Sequence, residues 1–188
     1  MRCPRVLLNP GVRDIDDIEK CELHVHLEGS LRPATMRALA ERHGVLLDPV
    51  EVTASYEFQD FGHFIALFIR GLRLLRTADD FAFITEALAL ELEAQNVRYA
   101  EVTTTYFAHW SRGIPAQEYV AGLNDGRVRA ADLGVEIGWI VDIPREAEPP
   151  GSHITADFIL GPAAPDAVVA IGWPGARRTE RVVLNPGE

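Results

Sequence analysis

The sequence predicts an α/β chain whose helices alternate with parallel strands, and three observations carry that reading. Four short runs of β-branched and apolar residues are separated by long stretches with helical spacing; such alternation produces a parallel sheet or barrel. Gly44 and Gly134 stand where helices should stop. The chain has 188 residues, room for one domain with a real core. A closed eight-stranded barrel needs about 200 residues or more, so four strands amount to half of one.

Composition narrows the class. The chain is 47% hydrophobic and 24% charged, with a formal net charge of -10, which suits an ordinary globular protein and argues against a nucleic-acid partner. Cys3 and Cys21 are too few for a disulfide framework, so a reducing cytoplasm is expected. Cys21 is expected to be a small buried apolar residue. No stretch is long and apolar enough to span a bilayer, and Met1–Gly11 lacks the apolar core of a secretion signal.

The first strand lies in KCELHVHLEGS, Lys20 to Ser30. Alternation along a strand puts His24 and His26 on one face, with Glu22 beside them, and Leu23, Val25 and Leu27 on the other. Past Leu27 the chain is expected to turn at Gly29, and Ser30 is the expected cap of a helix from Leu31 to His43, with Pro33 in its first turn. Asp48–Phe58 reads as a loop with a short helix. Asp60–Leu75 is apolar on most faces, through Phe61, Phe64, Ile65, Phe68, Leu72 and Leu75, so it is either covered or lines a pocket. His63 on it reads as a polar edge residue.

Thr77, Asp79 and Asp80 suit the start of a helix running to about Ala94. Val97–Tyr106 reads as a second strand, with Glu101 on the face opposite Val102 and Thr104 as a paired structural acid, and His109 in a solvated loop beyond it. A helix interrupted by Gly122 and Gly126 spans Pro115–Leu133; Val135–Ile143 is a third strand with Asp142 near its carboxyl end. His153–Leu160 is a short helix and Ala167–Ile171 a fourth strand. Beyond Gly172 no periodicity is visible. RVLLNPG at Arg5 echoes RVVLNPG at Arg181, an echo without a physical account.

Two imidazoles on one rigid strand, at the end where α/β folds keep their chemistry, can reach a single metal ion of a kind that suits neutral imidazole, such as zinc, iron, nickel or copper. An HxH pair also arises on plain surfaces. A catalytic zinc needs about three protein ligands and an open position, and two histidines do not complete it.

The run from Lys20 to Ser30 resembles the start of the adenosine deaminase family of the amidohydrolase superfamily, which reads like KxELHxHLxGS before a Pro-containing helix. LRTADDF, AQNVRYAEV, RGIPAQEYVAGLNDGR and VEIGWIVDIPR continue the likeness over roughly residues 20–171. The pattern is similar to bacterial members, including those acting on aminofutalosine. The resemblance implies a partial (β/α)₈ barrel of about four strands with its C-terminal half missing. Residues 1–19 would form an N-terminal arm, 20–172 the half-barrel and 173–188 a divergent tail. It implies a single Zn²⁺ held in part by His24 and His26, and hydrolytic removal of the 6-amino group of a purine nucleoside. His26, Glu28 and Gly175 match positions that touch substrate, the acid reaching a sugar hydroxyl.

The family takes its third zinc histidine, its HAGE glutamate, a second catalytic histidine and a metal-binding aspartate from later strands, and none is matched here. The chain by itself is therefore expected to be inactive, to bind zinc weakly, and to self-associate through an open strand edge and an open inner sheet face. The alternative is a non-catalytic remnant or an interaction module. A frameshift near Gly172 would explain the departing tail, and translating the downstream DNA in the other frames tests it.

Overall fold

The computed structural model describes residues 15–144, 151–173 and 180–183. Among them is one sheet of five strands in the order β1 (Lys20–His26), β2 (Val97–Thr104), β3 (Glu136–Asp142), β4 (Val168–Trp173) and β5 (Glu180–Val183). The first four run parallel, and helices connect them. These are α1 (Pro33–Arg42), α2 (Pro49–Ala54), α3 (Phe61–Leu72), α4 (Ala78–Glu93), α5 (Tyr106–Trp110), α6 (Ala116–Asp132) and α7 (Gly151–Leu160). This is the α/β architecture of part of a (β/α)₈ barrel.

One face of the sheet meets the helices. Ala100, Val102, Ile137, Trp139 and Val141 pack with Phe81, Ile84, Leu88, Tyr119 and Leu123 into the main core. Each Val, Ile, Leu or Phe side chain among them contributes about 1.5–3 kcal/mol when removed from water. The other face would line a barrel, and it is not open as expected: Glu101, Thr103, Ile140 and Asp142 are all buried there. Tyr99 Oη donates to Glu101 Oε1 at 3.3 Å.

The alternation expected along β1 is broken. Glu22 pairs with Ala100 but Val25 pairs with Val102, so β1 carries one extra residue, a bulge that reverses the parity of faces. Glu22 therefore shares the helix-side face with Val25 instead of joining the histidines, and its Oε1 accepts the amide of His24 at 2.9 Å. Leu23, expected inside, is 53% exposed. Cys21, expected buried, is exposed and unpaired.

The tail also departs from expectation. Beyond Gly172 lies a strand: β5 runs antiparallel to β4 and pairs Val183 with Ala170 and Glu180 with Trp173. The edge of β4 is thus occupied, and among the described strands β1 and β5 each keep an unpaired edge.

Local chemistry sets the helix ends. Ser30 does not cap α1; it belongs to a 3₁₀ turn, Glu28–Ser30, and donates to Leu27 O at 2.8 Å. α1 begins instead at Pro33, whose fixed φ suits a first helical position. Asp48 accepts the amides of Val50 and Glu51 at 2.7 and 3.0 Å, and Asp60 that of His63 at 2.8 Å. Asp80 Oδ2 accepts the amides of Arg76 and Thr77 and lies 2.8 Å from His43 Nε2.

α6 is unbroken, against the expected interruption at Gly122 and Gly126. The two glycines let it press onto α4: a Cβ on Gly122 would sit 2.4 Å from Ala78 O, and one on Gly126 2.5 Å from Thr85 Cβ. Alanine at 122 would gain roughly 1 kcal/mol of helix propensity but overpack a contact that cannot yield, costing about 1–3 kcal/mol or more. Gly122→Ala is expected to lower the urea midpoint; a raised midpoint would show that the helices separate freely.

Candidate functional site

The carboxyl ends of β1, β2 and β3 meet at one end of the sheet, and the chemistry-bearing residues gather there. His26 is level with Thr103 on the barrel-side face. The rings of His24 and His26 lie edge to face with centroids 5.3 Å apart. His24 is exposed and His26 half-buried. Burial lowers the pKa of His26 and the charge of His24 lowers it further, against the opposing pull of Glu28. A neutral imidazole presents a lone pair to a metal, and the two adjacent rings are of the residue type that could supply two ligands to one ion. Among the described residues no group of three metal-competent side chains converges.

Glu28, the acid expected to reach a substrate hydroxyl, follows His26 by two residues. It is 2% exposed. Its Oε1 accepts from Thr104 Oγ1 at 2.7 Å, from the Thr105 amide at 3.1 Å and from His109 Nε2 at 2.8 Å. Its Oε2 is buried without a partner. Burial alone would raise its pKa, but the bonds from His109 and Thr104 outweigh that and hold the carboxyl below its ordinary range. Hydrogen bonds to the charged form win over desolvation.

His109 is not a solvated loop residue. It lies on α5, fully buried, edge-on to Phe81 at 4.8 Å. Arg112 Nη1 approaches its Nδ1 at 3.1 Å. A guanidinium only donates, so Nδ1 accepts and Nε2 carries the hydrogen given to Glu28. His109 thereby acts as a neutral bridge between a cation and an anion, tying the turn after β1 to the segment after β2. The sequence offered a signal for this: Tyr106 and His109, three apart, share a face of an apolar stretch.

Asp142 ends β3 on the barrel-side face. Burial pushes its carboxyl up to about 7, with a hydrogen bond from Thr105 opposing and the charge of Glu28 adding to the rise. Its Oδ1 is buried and unpartnered. Gly172 in β4 leaves it room, since a Cβ there would lie 3.2 Å from Asp142 Cβ. Beside Glu28, Tyr56, Phe58, Phe64, Leu67 and Phe68 line a small cavity, so α3 does border a pocket. Gly175, the other expected substrate contact, lies outside the described residues.

Known proteins share this sequence pattern and this fold. The sequence model of the family described as Adenosine deaminase matches residues 19–184. The chain is 39% identical over 137 residues to the aminodeoxyfutalosine deaminase of Streptomyces avermitilis, covering 71% of this chain and 38% of that protein. It is 40% identical over 147 residues to the adenine deaminase of Rhodospirillum rubrum, covering 76% and 44%. Among solved structures, the adenine deaminase of Arthrobacter aurescens superposes with a TM-score of 0.76 at 32% identity, covering 84% of this chain and 49% of that one. An amidohydrolase from Burkholderia ambifaria with bound zinc superposes at 0.74 and 29% identity, covering 87% and 46%. The chain spans about half the length of the relatives it matches or less. With a family match over nearly its whole length and paired histidines ending its first strand, the chain belongs to the adenosine deaminase family.

Proposed function

We propose that the chain supplies the first half of a zinc-dependent hydrolase that replaces the 6-amino group of a purine nucleoside, of adenosine or aminofutalosine type, with oxygen from water, releasing ammonia. The observation that carries this reading is the adjacency of His24 and His26 on the barrel-side face at the carboxyl end of β1. A zinc ion there would supply water activated for attack near neutral pH. His24 and His26 would hold that ion from a rigid strand, and the clasp of Glu28 by Thr104, Thr105 and His109 would fix the turn that follows them. The buried carboxyl of Asp142, with a free oxygen at the same end of the sheet, suits a hydrogen bond to a polar substrate. The adenine deaminases among the relatives raise the free base as a second substrate form.

The acid and base that deliver the proton to departing ammonia are expected from a second half, so no turnover is expected from this chain alone. That half would seat on the unpaired edge of β1, where Val25, Leu88, Leu92 and Val97 help line a groove of about 390 Å³. A second copy of the chain could use the same edge in its absence. The exposed thiol of Cys21 suits a reducing cytoplasm; among the described residues no helix is long and apolar enough to cross a membrane.

Ammonia release from adenosine, aminofutalosine and adenine tests the reading, measured on the chain alone and on the chain co-expressed with the second half of a relative. Release that needs the added half and disappears in His24→Ala is expected. Its absence from the combined halves, with both parts folded and associated, would count for the non-catalytic alternative.

A further inference from the structure

We propose that Arg73, Arg76 and Arg112 form a binding site for an oxyanion, a phosphate or a carboxylate, at the end of the sheet that carries His24 and His26. The proposal does not depend on the deaminase reading. Arg112 Nη2 donates to Leu75 O at 2.6 Å, which docks its guanidinium on the α3–α4 junction, against the segment that carries Arg73 and Arg76. Arg76 Nε in turn donates to Arg73 O at 3.3 Å. Arg112 Nη1 lies 3.1 Å from His109, which holds Glu28 two residues past His26, so the cluster belongs to the carboxyl ends of the strands.

Arg112 is thus held near enough to Arg73 and Arg76 for their charges to act on it, in a chain whose net charge is -10. Among the described residues none of them takes part in an ion pair, whereas Arg32, Arg42, Arg98 and Arg129 each have a carboxylate. The acids close to the junction are otherwise engaged. Asp80 accepts the amides of Arg76 and Thr77 and meets His43, and Glu118 accepts the amide of Ala78 at 2.7 Å. Burial of Arg112, together with the like charges of Arg76 and Arg73, works against its protonated form, with Glu28 opposing. Like charges held together are unfavourable, and the acid that acts on Arg112, Glu28, is reached only through His109; a planar guanidinium fork matches two oxygens of one anion. Arg112 is anchored by backbone and imidazole, while Arg73 and Arg76 are exposed, the Arg76 side chain held by the carbonyl of Arg73.

The anion could be free phosphate or a group carried on a purine, and calorimetric titration of the 188-residue chain at low salt separates the two. The probes are inorganic phosphate, adenosine 5′-monophosphate and adenosine. Saturable binding of phosphate or the monophosphate is expected, weakened about tenfold in the Arg73→Gln/Arg76→Gln double variant by loss of two charge-assisted contacts. The double variant should melt at the same temperature as the parent chain, because neither side chain is buried. A monophosphate that binds more tightly than both other probes assigns the anion to a purine ligand; equal binding of phosphate and monophosphate, with none of adenosine, assigns it to free phosphate. No saturable binding of either anion, or binding that the double variant leaves unchanged, would overturn the proposal.

Discussion

Replacing His109 with alanine is expected to destabilise the folded chain by about 3–5 kcal/mol, the cost of leaving a buried carboxylate without its principal donor. Glu28 has no access to water that could replace the lost bond, and Arg112 would lose the acceptor at Nδ1 in the same step. The void beside Phe81 and Tyr119 adds to the loss. His109→Gln, whose amide can still reach toward Glu28, should recover part of it. Urea denaturation of the three proteins at one pH measures the order. Equal midpoints would show that the Glu28 carboxylate is stabilised by Thr104 and Thr105 alone.

The second large effect concerns pH. A carboxyl raised in the folded chain from 3.8 to about 7, as at Asp142, binds a proton in the folded state that the unfolded state has already released. Stability from this group is therefore complete below the unfolded value and is lost as pH rises toward the folded one. A displacement of that size corresponds to about 4 kcal/mol as an upper figure. Asp142→Asn cannot titrate, so its stability relative to the parent chain should climb between about pH 4 and pH 7 and then level off. Glu28 acts in the opposite sense, because its lowered carboxyl loses stability only as pH falls below the ordinary carboxylate range. The two windows do not overlap above the ordinary carboxylate range, so the difference between the two proteins from about pH 5 upward reports Asp142. A difference that stays flat from pH 4 to 8 would mean that Asp142 is ionised throughout.

Much of the framework was legible because it rests on periodicity. The apolar spacing of Phe81, Ile84, Leu88 and Leu92 marks α4, and the β-branched run from Val97 marks β2. Gly44 and Gly134 adopt positive φ after α1 and α6, where their lack of a side chain makes that conformation cheap. The paired histidines were legible too, since adjacent odd or even strand positions share a face. What escaped the sequence depends on partners far along the chain. Nothing local marks the bulge that turns Glu22 away from His24, because the extra residue is defined only against β2. The burial of His109 is set by Glu28, 81 residues away. Gly122 and Gly126 read as helix breakers until α4 is laid against them, although their spacing of four is what a close helix contact requires. The tail strand rests on a short pair of valines, Val182 and Val183, too brief for a period to show.

The first half-site for zinc is tested most directly by X-ray absorption at the zinc edge of the metal-loaded chain. Backscatter from two imidazole nitrogens is expected, completed by oxygen ligands, and it should fall away in His24→Ala/His26→Ala. A spectrum dominated by sulfur, or one that the double substitution leaves unchanged, would place the metal elsewhere and remove the reason for treating β1 as part of a catalytic centre.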